Sequence, residues 1–121
     1  MPRSMFERYG GFLGVSRIVS AFYDRVLDSD VLAPYFETVD MRRLIDHQTK
    51  FMVQLFGGPA SYSNEQLRQV HAHLAITPEA YGEMMALFRA TLEEAAIDPA
   101  DVAQLMADMA ARRPHIVAGA A

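Results

Sequence analysis

The 121-residue chain contains no cysteine. That excludes disulfides, thiolate metal ligands, iron–sulfur clusters and cysteine nucleophiles. Lysine is almost missing: Lys50 stands alone and the other ten cations are arginines, against 15 acidic residues, for a net charge of −4. A chain of that balance has no basic footprint for nucleic acid. No apolar run reaches the length of roughly 18 residues that a membrane span needs, and MPRSMFERYGG at the start lacks the apolar stretch of a signal peptide. The expectation is a soluble, cytoplasmic protein of one domain over residues 1–121. Apolar residues make up 51% of the chain and methionine is used eight times, which suits a core moulded around an irregular object.

Helical periodicity runs through almost every segment, and no stretch alternates as a half-buried strand does. Ser4 and Glu7 form a capping box for one short turn, closed by Gly10-Gly11. A helix over about 13 to 28 places Val15, Ile18, Val19, Phe22, Val26 and Leu27 on one face. A brief turn follows through Pro34, Tyr35 and Phe36. Asp40 caps a helix from Met41 to Phe56 that stops at Gly57-Gly58-Pro59. Ser63 and Gln66 form a second capping box, opening a short helix that carries His71 and His73. Thr77-Pro78 and Asp98-Pro99 each pair a cap with proline at the first helical position. They start helices over about 78 to 95 and 99 to 112, with Pro114 marking the end. The fold class is all-α, with roughly four main helices and several short ones.

Three polar residues fall where this periodicity predicts core. On the helix from Met41, an apolar stripe of Met41, Leu44, Ile45, Met52 and Leu55 has Gln48 at its centre, with Phe51 at one edge and His47 just beyond. A glutamine there is costly unless something hydrogen-bonds to it, and backbone could serve as well as a ligand. Tyr23 sits between Val19 and Leu27 on the buried side, and most buried tyrosines are structural. His71 has Leu67, Val70 and Leu74 around it, so it points inward, while His73 points out among Gln66, Gln69 and Thr77. An inward histidine is either a hydrogen-bonded core residue or a metal ligand. The combination describes a pocket with one strong ligand on one side and hydrogen-bond donors on the other. Haem iron held by a proximal histidine beneath a polar distal pocket needs that asymmetry.

The same residues carry a resemblance. FERYGG at 6–11, FYDRVL at 22–27, PYF at 34–36, DHQTKF at 46–51, FGGP at 56–59 and RQVHAHLAIT at 68–77 stand in the order and spacing of the group I truncated hemoglobins. The resemblance covers nearly the whole chain. It implies a truncated globin-like two-over-two helical sandwich around one haem b, with iron bound by His71. It also implies that Tyr23 and Gln48 hydrogen-bond the distal ligand and that Phe36 is wedged against the haem. Leu44 stands where larger globins carry a distal histidine, and Phe51 lies beside it. Arg68 and Lys50 are positioned for the haem propionates. His47 matches a histidine that some members use as a sixth iron ligand. Ala75 departs from a glycine common after the proximal helix.

The function so implied is binding of O2 and other diatomic gases, NO and CO among them. It extends to conversion of nitric oxide and oxygen to nitrate with an unidentified reductase. The alternative is a bis-histidyl haem protein for electron transfer or gas sensing. A non-haem metal site shared by His71 and His73 is disfavoured, because residues two apart on a helix point in different directions. No apolar face is left obviously spare, and a monomer is expected.

Overall fold

A computed structural model describes residues 4–59 and 76–113. Within them the chain forms α1 (Met5–Arg8), α2 (Gly11–Leu27), a 3-10 turn (Ala33–Phe36), α3 (Met41–Leu55), α4 (Pro78–Glu94) and α5 (Pro99–Ala111). There is no strand among the described residues, and no helix there is long and apolar enough to cross a membrane. The helices expected within the described residues are present, with α2 starting two residues earlier than its apolar pattern suggested; the short helix expected from Ser63 lies outside them.

Local chemistry accounts for most of the boundaries. Ser4 Oγ accepts from the Glu7 backbone N–H while Glu7 reaches back to the Ser4 N–H, so the expected capping box is formed. Asp40 accepts from the Arg43 N–H at 3.3 Å, and Thr77 from the Ala80 N–H at 3.0 Å. Each satisfies one of the donors that a helix start leaves open. Asp98 differs from expectation: its side chain makes no capping bond to α5. The Asp98 N–H donates to the Tyr9 hydroxyl at 3.0 Å, a tertiary contact that anchors this helix start.

Two helices end in the same hydrogen-bond pattern with different residues at its strained position. At the end of α3 the Gly57 N–H donates to the Gln54 carbonyl and the Gly58 N–H to the Val53 carbonyl, with Gly57 at φ 80°. At the end of α4 the Ala96 and Ile97 N–H groups bond back to Glu93 and Leu92, with Ala96 at φ 60°. Both are Schellman caps. The second places an alanine in a left-handed conformation that costs it roughly 1–2 kcal/mol, offset by burial of Ile97 against Leu92. Gly58 has another role. A Cβ there would lie 2.6 Å from the Phe6 ring and from Val53, so its bare backbone lets α1 dock. The Phe6 N–H donates to the Phe56 carbonyl at 2.7 Å beside it.

The core sits where α2 packs on α3 and α4, with α5 closing on α4. Val15, Val26, Val53, Phe56, Phe88, Leu92 and Leu105 are essentially inaccessible to water. At ~1.5–3 kcal/mol for each such side chain, this cluster is the main source of stability. Leu27, expected on the buried face of α2, is 43% exposed at the helix's last residue, where no described element covers it. On α3 the buried residues are Thr49, Phe51, Met52 and Val53, whereas Met41, Leu44, Ile45 and Leu55 are only partly covered. Thr49 tolerates burial because its hydroxyl donates to the Ile45 carbonyl at 2.7 Å.

A polar clamp joins the two ends of the fold. Asp101 accepts from both terminal nitrogens of Arg8, at 2.8 and 3.2 Å, and from the Tyr9 hydroxyl at 2.6 Å. The Arg8 hydrogen bond, then that of Tyr9, holds the Asp101 carboxyl below its ordinary range. A carboxylate whose folded value is depressed contributes stability above its unfolded value near ~3.9 and loses it as the pH falls through the folded one. Thermal melts from pH 7 to pH 2 should therefore show Asp101→Asn less stable than the parent at neutral pH, the difference shrinking in acid below about pH 4. A difference independent of pH would remove the charged form of Asp101 from the account.

Candidate functional site

Two adjoining clefts open between α2, α3 and α4, and their walls are overwhelmingly apolar, as the walls of small-molecule and cofactor sites are. Phe22 and Tyr23 of α2, Gln48 of α3 and Met84 of α4 line both, so the clefts share one central wall. The first runs toward Phe51, Met52, Phe88 and Met109. The second runs toward the 3-10 turn, taking in Tyr35, Phe36, Leu44 and Ile76.

Helix α3 explains how one element serves both core and cleft. At about 100° per residue, Ile45, Thr49, Met52 and Val53 share one side and Leu44, Gln48 and Phe51 the next. The stripe read from the sequence was thus two faces side by side. Gln48 lies on the cleft side, half-buried and with no hydrogen bond to any described residue. Phe51 is held under the Arg112 guanidinium, 5.5 Å from its ring centroid.

Tyr23 is 9% exposed. Its ring stands edge-on to Phe22, with centroids 5.0 Å apart, and to Phe36 at 5.9 Å. These contacts fix where its hydroxyl sits. Three tyrosines line the second cleft, and the other two have their hydroxyls engaged. Tyr35 Oη accepts from the Thr77 N–H at 3.4 Å, and Tyr81 Oη donates to the Met109 carbonyl at 3.1 Å. The Tyr23 hydroxyl alone among them has no partner in the described residues. Burial pushes its ionisation well above the ordinary tyrosine value, so it stays protonated and can donate at neutral pH.

The remaining expected site residues divide sharply. Phe36 and Leu44 line the second cleft and Phe51 the first, together with Tyr23 and Gln48. His47 is exposed on α3, next to but not in the cleft wall. Lys50 is also exposed and pairs with Asp46 at 3.5 Å, one turn earlier. His71, Arg68, His73 and Ala75 lie outside the described residues. Periodicity did not single out Met84, Tyr81 or Met109 as cleft residues. A wall residue and a core residue carry the same apolar signal, and only the abundance of methionine hinted at them.

The arrangement fits a flat, largely apolar group with a polar ligand at its centre. The lining is hydrophobic, and among its described residues the polar groups without a partner are the Tyr23 hydroxyl and the Gln48 amide. Comparisons with known proteins point the same way. The family model described as bacterial-like globin matches residues 4–118. A group 1 truncated hemoglobin, GlbN, of Mycolicibacterium paratuberculosis is 30% identical over 99% of this chain and 88% of its own length. The GlbN of a Synechocystis species is 33% identical over 93% of each. Among solved structures, the 2/2 hemoglobin from Synechococcus sp. PCC 7002, in the cyanomet state with covalently attached heme, matches with a TM-score of 0.88 at 23% identity. That match covers 95% of this chain and 98% of the other. The Fe(III) truncated hemoglobin from Tetrahymena pyriformis matches with a TM-score of 0.85 at 22% identity, over 96% and 99%. These likenesses bear out the two-over-two all-α fold.

The difference between the tyrosines is measurable without any ligand. In the haem-free protein, Tyr81→Phe should lower stability by about 0.5–1.5 kcal/mol, the worth of an ordinary hydrogen bond. Tyr23→Phe should cost little or nothing, because its hydroxyl has no hydrogen bond to a described residue to lose. Denaturant titration of both variants checks this, and a clear loss for Tyr23→Phe would show that its hydroxyl is already bonded.

Proposed function

Because the chain belongs to the bacterial-like globins, among their group 1 truncated hemoglobins, we propose that it holds haem b in these clefts and binds O2 there. The observation that carries the reading is Tyr23, a buried residue on the wall of an apolar cleft beside Gln48, whose hydroxyl has no partner among the described residues. Haem supplies the iron that takes up the gas and the redox chemistry that can follow. The chain's own residues supply the rest. His71 would hold the iron from one side. On the other, Tyr23 would donate to the ligand and Gln48 would add its amide. Such donors act strongly where water is excluded, and they need no reorganisation when the ligand arrives. Phe36 and Leu44 would keep the ring's surroundings apolar, and Arg68 and Lys50 would meet its carboxylates at the rim.

The same pocket would bind NO and CO. It would suit conversion of nitric oxide and oxygen to nitrate, with one electron per turnover returned by a cellular reductase. The reading is supported by the family and by a donor pair able to favour O2, the more charge-separated ligand.

A second reading, with His47 as an internal sixth ligand and the protein working in electron transfer or sensing, draws on the position of that residue. Its neighbours Leu44 and Phe51, three before and four after, both line the clefts. Turning α3 about its axis would carry His47 from the surface toward the iron. Absorption spectra of the ferrous protein without added ligand separate these possibilities. The haem reading predicts that His71→Ala loses or grossly loosens the haem while His73→Ala leaves the spectrum unchanged. Equal loss from both would reject His71 as sole ligand. A sixth ligand at His47 predicts a low-spin ferrous spectrum that becomes high-spin in His47→Leu. A parent spectrum already high-spin leaves His47 at the rim.

A further inference from the structure

Three of the eight methionines, Met52, Met84 and Met109, line the clefts. Met84 lies in the wall shared by both clefts, beside Tyr23 and Gln48, and Met52 and Met109 line the first cleft while only 6% and 7% exposed. Cysteine and tryptophan are both absent from the sequence. A thioether is therefore the softest oxidisable group within reach of anything activated in the cleft. We infer that Met84 is a methionine oxidation site served by the haem pocket itself, with hydrogen peroxide as the oxygen donor.

The inference rests on the haem reading above. In the step, the O–O bond of the peroxide breaks and an S–O bond forms at Met84 Sδ. Sulfur loses two electrons, and the peroxide is reduced to water. The product is methionine sulfoxide, which turns a flexible apolar side chain into a polar one with a strong acceptor oxygen. That acceptor would sit in the same wall as the unpartnered Tyr23 hydroxyl and offer it a competing partner. Oxidation at Met84 would then weaken gas binding, and reduction of the sulfoxide would restore it.

The adjacent residue supplies an internal control. Met84 and Met85 are neighbours on α4 and both are half-buried, but Met85 lines neither cleft. Random oxidation from solvent would treat them alike. Oxidation delivered inside the cleft would select Met84.

The test compares haem-loaded and haem-free protein, each exposed to the same limiting amount of hydrogen peroxide, digested and mapped by fragment mass spectrometry. Haem uptake is read beforehand from the absorption spectrum. The sulfoxide ratio of Met84 to Met85 is expected to be about tenfold or more in the haem-loaded protein, since positioning alone can supply large effective concentrations. Near-equal oxidation is expected without haem. In Met84→Leu the oxygen should appear at Met52 or Met109. Equal oxidation of Met84 and Met85 in protein that does carry haem overturns this inference and leaves the gas-binding reading standing. Diversion to Met85 in Met84→Leu overturns it as well. Failure to take up haem overturns both.

Discussion

The site hangs on how Tyr23 is held: its ring is locked into the core, and its hydroxyl, along an apolar cleft, has no partner among the described residues. Tyr23 cannot escape that position. Its helix is committed to the core through Val15, Val19 and Val26, and its ring is gripped between Phe22 and Phe36. Phenylalanine would satisfy the packing equally well. The hydroxyl makes sense as a group held for a ligand, since no described residue partners it. Gln48, facing the same cleft with its amide unengaged, doubles that demand.

The scaffold is arranged so that these two donors stay fixed and neighbouring polar groups stay occupied. Tyr35 ties the 3-10 turn to the start of α4, and Tyr81 ties α4 to the last turn of α5. Both tyrosines line the second cleft, yet their hydroxyls are used structurally. A shortened helical fold has few elements to spare, so α3 serves the core with one face and the cleft with the next. The ends are tied separately. Gly58 lets Phe6 come close, and the Arg8–Tyr9–Asp101 clamp fastens α1 to α5. At the clefts themselves, the Tyr35–Thr77 and Tyr81–Met109 hydrogen bonds tie neighbouring walls together.

What the sequence disclosed follows the range of the interactions concerned. Helix starts at Ser4, Asp40 and Thr77 were legible because a cap bonds to its own chain three residues on. The helix at Pro99 starts where expected, but the side-chain cap of Asp98 is not made, and a hydroxyl 89 positions away, on Tyr9, accepts from the Asp98 N–H, which no local pattern shows. The left-handed Ala96 gives no sign in sequence, where glycine would have. Leu27 was placed inside by periodicity, which cannot know that no described element covers this helix's last residue. For the site, Gln48 announced itself as a polar residue on an apolar stripe, and with Tyr23 it matched the family's order of motifs. Met84 and Tyr81 were silent, since periodicity does not distinguish the wall of a cavity from the solid core. His47 was read as a candidate for the iron from its place at the stripe's edge, and it stands at the surface, one helical step from Gln48.

The central claim is that the Tyr23 hydroxyl is held in reserve for a ligand in this pocket. The rate of oxygen dissociation from the reduced, haem-loaded protein tests it most directly, measured for the parent and for Tyr23→Phe. A hydrogen bond to a partly charged group is worth about 1.5–3 kcal/mol, so the variant should release oxygen roughly ten- to a hundredfold faster if the whole effect falls on dissociation. An unchanged rate, in protein with a normal haem spectrum, would contradict the account.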